Sequence, residues 1–252
     1  MACTLLAMEV IYGIHPVREA IASRGRAIEH VAVARGRQDA KLQQIIDECR
    51  AAGIAVRFVP REDVNRLAHS AAHQGVAAVI AQHQYADVGD LLQRPRGRHR
   101  FVLVLDGVED PHNLGAIIRT AEGAGADGVI IPERRAVGIT PTVAKAAAGA
   151  VEHLPIARVT NVARCLEELK AQNIWIFGLD ERASQAYDTQ DYNLDLGMVL
   201  GGEGAGLHEL VRKKCDFLVS IPMLGRISSL NVSVAAGVMM YEIARQRRNK
   251  VQ

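Results

Sequence analysis

The chain has 252 residues, 49% of them hydrophobic and 23% charged, with 30 Lys and Arg against 28 Asp and Glu. That length predicts one large domain or two modest ones, and the apolar fraction excludes wholesale disorder, collagen-like repeats and low complexity. The net charge of +2 does not by itself point to nucleic acid, but residues 1–100 carry +4 and six of the nine histidines whereas residues 101–252 carry −2, a split that fits a polyanion-contacting module ahead of a catalytic body and equally fits chance.

The first hundred residues alternate helix and strand signals. Pro16 suits the first turn of a helix in HPVREAIASRG (15–25), closed by Gly25. IEHVAVA (28–34) reads as a strand. DAKLQQIIDECRAAG (39–53) reads as a helix with Asp39 near its start, Leu42, Ile45, Ile46 and Cys49 on one face, and Gly53 as C-cap. A strand (54–59), a helix (61–70) and a strand (75–82) follow, which makes a compact α/β unit. RPRGRHR (94–100), with Arg94, Arg96, Arg98 and Arg100, reads as a linker, either a solvated hinge or a phosphate-contacting strap. Residues 84–100 are expected to be mobile.

From residue 101 the pattern changes to short apolar runs at 101–108, 127–132, 154–159, 173–180, 197–202 and 217–223. Such runs suit strands buried on both faces of a mostly parallel sheet. Helices are expected at 113–126, 162–172 and 230–248. The fold class is α/β. No apolar run approaches the roughly 18 residues of a membrane span, and the opening MACTLLAMEVIYG lacks the basic flank of a signal peptide, so a cytoplasmic protein without membrane contact is expected. Cys3, Cys49, Cys165 and Cys215 form no CxxC pair and have no histidine at metal spacing. Reduced thiols and no metal site are expected.

Three stretches of the second part combine glycine and polar residues in ways that packing does not require. In DPHNLGAIIRTAEGAGADGVI (110–130), Asn113 reads as a helix N-cap, Gly115 allows close backbone approach, and Arg119 follows six residues later; alone this is also a capped helix with a surface arginine. VLGGEGAGL (199–207) lacks the spacing and the distant acid of a dinucleotide fingerprint, and no G-K-[ST] follows. What remains is a tight turn, or a strand end that admits a ligand to the backbone with Glu203 facing it. In IPMLGRISSLNVSVAAGVMMYEIARQR (221–247), Ser228, Ser229 and Asn231 sit at the mouth of an apolar helix, where they either cap it or serve a site.

Taken in order, NLGAIIRTAEGAG, LGGEGAGL and IPMLGRISSLNVSVAAGVMMYE resemble the three signature motifs of the SpoU (TrmH-type) branch of the SPOUT RNA methyltransferases, over essentially all of 101–248. Residues 9–84 resemble the ribosomal-protein-L30-like RNA-binding domain of part of that family, with 85–100 as a basic linker and 101–252 as the methyltransferase domain. IYGIHPVREAI, HQGVAA (73–78) and LDGVEDPHNLGA are most similar to the family's bacterial 23S rRNA guanosine-2′-O-methyltransferases. The residues before Ile11 match nothing there and are expected to be disordered.

The resemblance implies S-adenosyl-L-methionine as donor, a homodimer, a trefoil knot near the C-terminus, and 2′-O-methylation of a guanosine in the peptidyl-transferase P-site loop of 23S rRNA. The alternatives are a tRNA or another rRNA target of the same family, over which the L30-like module and motif wording favour the ribosomal one, or a non-catalytic RNA-binding ribosome-assembly factor, against which the intact polar set argues. The resemblance makes Asn113, Arg119, Glu203, Ser229 and Asn231 the catalytic set, and Gly201, Ile221 and Leu230 with Leu200 and Met223 the walls of the donor pocket. It also implies that Arg119 performs or assists removal of the hydroxyl proton, helped by a substrate phosphate. Because arginine holds its proton, the preferred reading is that Arg119 clamps a phosphate or a developing alkoxide and Glu203 accepts or relays the proton. Arg18, Arg24, Arg26, Arg35 and Arg37 are expected RNA contacts.

Overall fold

The computed structural model describes residues 7–36, 40–93, 95–204 and 206–249; the expectations for Cys3, Arg37, Asp39 and Arg94 lie outside these. In chain order the elements begin β1 (Met8–Tyr12), α1 (Ile14–Ser23), β2 (Ile28–Ala34), α2 (Ala40–Ala51), β3 (Val56–Val59), α3 (Arg61–Ala68) and β4 (Val76–Ala81). They continue α4 (Val88–Gln93), β5 (Phe101–Asp106), α5 (Pro111–Gly123), β6 (Gly128–Pro132), α6 (Pro141–Ala146), β7 (Ile156–Val159), α7 (Val162–Lys170) and β8 (Trp175–Leu179). The chain then forms β9 (Gln185–Ala186), β10 (Leu196–Gly201), α8 (Glu209–Lys214), β11 (Phe217–Ser220) and α9 (Val232–Asn249). Two compact units result. One runs to Gln84 and includes Ile139–His153; the other comprises Tyr85–Gly138 and the chain from Leu154.

The first unit has a four-stranded sheet in the order β1-β4-β2-β3. The expectation of disorder before Ile11 falls outside the described residues for 1–6 and is corrected for 8–10: Met8, Glu9 and Val10 pair antiparallel with Ala81, Ile80 and Val79. The reason is an edge strand anchored by charge as well as by its ladder. Arg26, whose side chain is 8% exposed, binds Glu9 at 2.5 Å, also binds Glu152, and donates to the carbonyl of Ala81 at 3.1 Å. Helix α1 ends one residue earlier than expected, with Arg24 rather than Gly25 in the left-handed region (φ 52°). Gly53 (φ 70°) follows α2 as expected.

The second unit is a seven-stranded sheet, β7-β6-β5-β10-β8-β11-β9, in which every pairing is parallel. All residues of β5 are buried, as are Leu196 to Leu200 of β10, which accounts for the continuous apolar runs. The expected mobile linker is folded into this unit. Leu91 and Leu92 of α4 are buried, Ala86 bridges to Ala157, and the Arg96 N–H donates to Asp127 at 2.5 Å. With three apolar side chains in one six-residue helix, 88–93 offers little periodicity to read. Cys49 and Cys165 are buried and Cys215 half-buried; loss of hydration pushes their thiols up to about 11, 11 and 12, so all three are held as thiols.

Candidate active site

Strand β5 leads to β6 on one side of itself, whereas its other neighbour, β10, arrives much later in the chain. The order of the sheet therefore reverses between β5 and β10, the place where parallel sheets open a crevice at their carboxyl ends. Asp106 and Gly201, the last residues of the two strands, are register partners at that point.

Three side chains from three segments meet there. Helix α5 starts earlier than expected: Asp110, not Asn113, is its N-cap, accepting from His112 N–H at 2.6 Å and Asn113 N–H at 3.2 Å, with Pro111 in the first turn. Relieved of capping, Asn113 turns its amide outward and donates from Nδ2 to Glu203 Oε1 at 2.8 Å. Asn231 does cap α9, its Oδ1 accepting from Ser233 N–H at 2.9 Å. Its Nδ2 donates to Glu203 Oε1 at 2.8 Å and to Asn113 Oδ1 at 3.1 Å. The result is a closed ring in which one carboxylate oxygen takes two amide donors.

On one side of Glu203 lies a cavity of about 620 Å³ with apolar walls from Leu179, Leu200, Ile221, Met223, Leu230 and Ala235, and with Ser229 and Asn231 at its edge. Its floor is bare backbone. A Cβ on Gly201 would lie 2.1 Å from the carbonyl carbon of Gly206, and one on Gly202 would lie 2.1 Å from the oxygen of Gly107. Glu203 and Glu181 supply negative charge, and Arg182 supplies a cation. Asp180, 6% exposed, holds Arg182 at 3.2 Å and Arg212 at 2.6 Å. Burial pushes its carboxyl up, but hydrogen bonds from the backbone and side chain of Arg182 and from Arg212 outweigh this and hold it below its ordinary value.

This composition fits S-adenosylmethionine: apolar walls for adenine, exposed backbone for its edge, carboxylates for the sulfonium, and a volume ordinary for a nucleoside ligand. All five expected wall residues, with Glu203, Ser229 and Asn231, line the one cavity. Arg119 does not join them. It is exposed on α5, without a hydrogen bond or ion pair among the described residues.

Beyond Glu203 a second cavity, of about 420 Å³, is lined by Asp106, Asp110, Asn113, Arg135, Glu203 and His208 among others. Sequence reasoning missed Asp106, His208 and Asp180. For Asp106 a signal existed, an acid ending an otherwise apolar strand; for His208 there was none. In the first unit, Arg35 borders a cavity with Lys41 and Arg61, while Arg18 pairs with Glu48 at 2.8 Å. Arg24 is exposed. The expectation that Arg26 contacts RNA is corrected: its guanidinium is buried between two carboxylates. Among the described residues no cluster of His, Cys, Asp or Glu has metal-site geometry, and no helix is long and apolar enough to cross a membrane.

Comparison with known proteins covers both units. Residues 100–241 match the SpoU rRNA methylase family, and residues 10–86 match the RNA 2′-O-ribose methyltransferase substrate-binding domain. The chain is 49% identical over 207 residues to a TrmH-family tRNA/rRNA methyltransferase, YacO, of Bacillus subtilis, covering 81% of this chain and 83% of that one. It is similar to the SpoU methyltransferase AviRb of Streptomyces viridochromogenes, solved with AdoMet (TM-score 0.80, 25% identity, 96% and 91% of the two chains). It is also similar to a solved RNA 2′-O ribose methyltransferase (TM-score 0.81, 26% identity, 96% and 89%). The donor-shaped cavity at the sheet reversal thus lies inside the matched region, and the chain belongs to the SpoU family, as an RNA methyltransferase that uses S-adenosylmethionine.

Proposed function

We propose that the protein methylates the 2′-hydroxyl of a guanosine in the peptidyl-transferase P-site loop of 23S rRNA, acting in the cytoplasm as a homodimer whose catalytic unit is threaded as a trefoil knot. The observation that carries the catalytic part is the ring of Asn113, Glu203 and Asn231, shared between a donor-shaped cavity and a second, polar one. The donor, when bound, supplies an electrophilic methyl group on a sulfonium. The chain's task is then alignment, since in-line transfer gains most from holding oxygen, carbon and sulfur together.

In this reading, Leu200, Ile221, Met223 and Leu230 hold the adenosine and Gly201 gives it backbone access. Glu203, oriented by the two asparagines, faces the sulfonium with its negative charge. Ser229 and Asn231 orient donor and ribose. Arg119 clamps an RNA phosphate; its exposure on α5 supports service in the partner's site. Exposed Val234 and Tyr241 on α9 support a dimer through that helix. Arg35, Lys41 and Arg61 of the first unit contact RNA phosphates.

The test is methyl transfer from labelled donor to unmodified 23S rRNA and, separately, to tRNA, with the product nucleotide mapped. A 2′-O-methylguanosine in the P-site loop is expected, with Glu203→Gln slower by about 10²-fold or more. The relatives are named tRNA/rRNA methyltransferases, which makes tRNA the second reading. Label on tRNA alone overturns the ribosomal target, and label on a base overturns ribose chemistry.

A further inference from the structure

The second cavity contains an imidazole backed by a buried acid. Asp106, 5% exposed at the carboxyl end of β5, accepts from the backbone N–H of His208 at Oδ2 (2.8 Å), and its Oδ1 meets His208 Nδ1 at 3.0 Å. An acceptor-only carboxylate at Nδ1 puts the ring hydrogen there and leaves the lone pair on Nε2. The His208 side chain is 45% exposed, and Nε2 has no partner among the described residues. Two contacts to one carboxylate fix both the backbone and the ring. A histidine placed only for packing needs neither the buried acid nor the open Nε2.

Glu203, the other candidate acceptor, is anchored through its Oε1 by the amides of Asn113 and Asn231. The cavity that His208 lines shares Asn113 and Glu203 with that ring of side chains, and Gly202 and Glu203 with the donor cavity. The charged groups lining the cavity with it are Asp106, Glu109, Asp110, Arg135 and Glu203.

We infer that His208, oriented by Asp106, is the proton acceptor for the RNA 2′-hydroxyl. This rests on the ribose-methylation reading above. Nε2 takes the hydroxyl proton while the oxygen's electron pair forms the bond to the donor methyl carbon. The carbon–sulfur bond breaks with its pair staying on sulfur, giving a neutral thioether, and the imidazolium returns its proton to water. The step follows the logic of an acid-oriented histidine activating a hydroxyl.

The test compares wild type, His208→Gln and His208→Asn in single-turnover methyl transfer across pH 5.5–9, with donor affinity by calorimetry as the control for folding. Expected are a 10²-fold or greater loss in kcat for both variants, KM for RNA and donor affinity within about twofold, and loss of the single-proton rising limb of the wild-type profile. Imidazole added to His208→Ala is expected to restore part of the rate. In wild type, ring nitrogen-15 resonances are expected to show hydrogen on Nδ1 and a shift at Nε2 when RNA is added, a reading that needs no variant. A profile and kcat unchanged in His208→Gln overturn the inference, as does a loss confined to KM, which makes the residue an RNA contact. Wild type that transfers no methyl to ribose defeats the underlying reading instead.

Discussion

Asn231 uses its oxygen to start α9 and its nitrogen to hold Glu203 and Asn113, so helix initiation and site assembly depend on one side chain. Asn231→Asp separates the two. The carboxylate retains the cap, a strong one at this position, but replaces a donor with an acceptor against Glu203 Oε1. Thermal stability is expected to fall by no more than about 1–2 kcal/mol, while methyl transfer falls by at least tenfold; equal activity in the variant refutes the ring as the organiser of the site. Nothing in residue spacing announces such double use. The motif NLGA suggested a cap at Asn113, and the capping role fell to Asp110 because Pro111 can occupy the first turn only if the helix starts there. Asn113 became available for the site through that three-residue shift.

The loop after β10 is shaped by contacts between backbones rather than by side chains. Gly201→Ala would force a methyl to within 2.1 Å of the Gly206 carbonyl carbon, and backbone at that place has nowhere to retreat. Donor affinity is expected to drop at least tenfold by calorimetry. Gly225→Ala, whose Cβ meets nothing within 4 Å, is expected to bind as wild type. Equal affinities for both would mean that the loop is not the donor floor. The strands of this unit were legible because both faces of a parallel sheet bury apolar side chains, as in FVLVLD of β5. The short elements were not. β9 has two residues and α4 six, of which Val88, Leu91 and Leu92 pack on the core, too few for any period to register. The Asp106–His208 pair was hidden for a different reason: 102 positions separate its members, and only the insertion of β10 beside β5 unites them.

At the scale of the molecule, acid stability is set partly by His83. Burial first, and then the nearby charge of Arg26, pushes its pKa down to about 4 from an ordinary 6.5. Between those values the unfolded chain binds the proton and the folded chain does not. Stability is therefore complete above about pH 6.5 and declines as pH falls toward 4, by roughly 2–3 kcal/mol from this group. Urea midpoints at pH 7.5, 5.5 and 4.5 check this. His83→Gln is expected to flatten the decline, and an unaltered slope assigns it to other groups.

Segment 139–153 belongs to the first unit although 54 residues of the second, Tyr85–Gly138, precede it in the chain. Glu152 binds the buried Arg26, His153 meets Glu19 at 2.8 Å, and Lys145 donates to the carbonyl of Ala72 at 2.8 Å. The N-terminal module is thus discontinuous, and a gene fusion or recombination that exchanged it by cutting near residue 85 would leave behind the piece that completes it. An incoming module would have to tolerate the old insert, or arrive with its own.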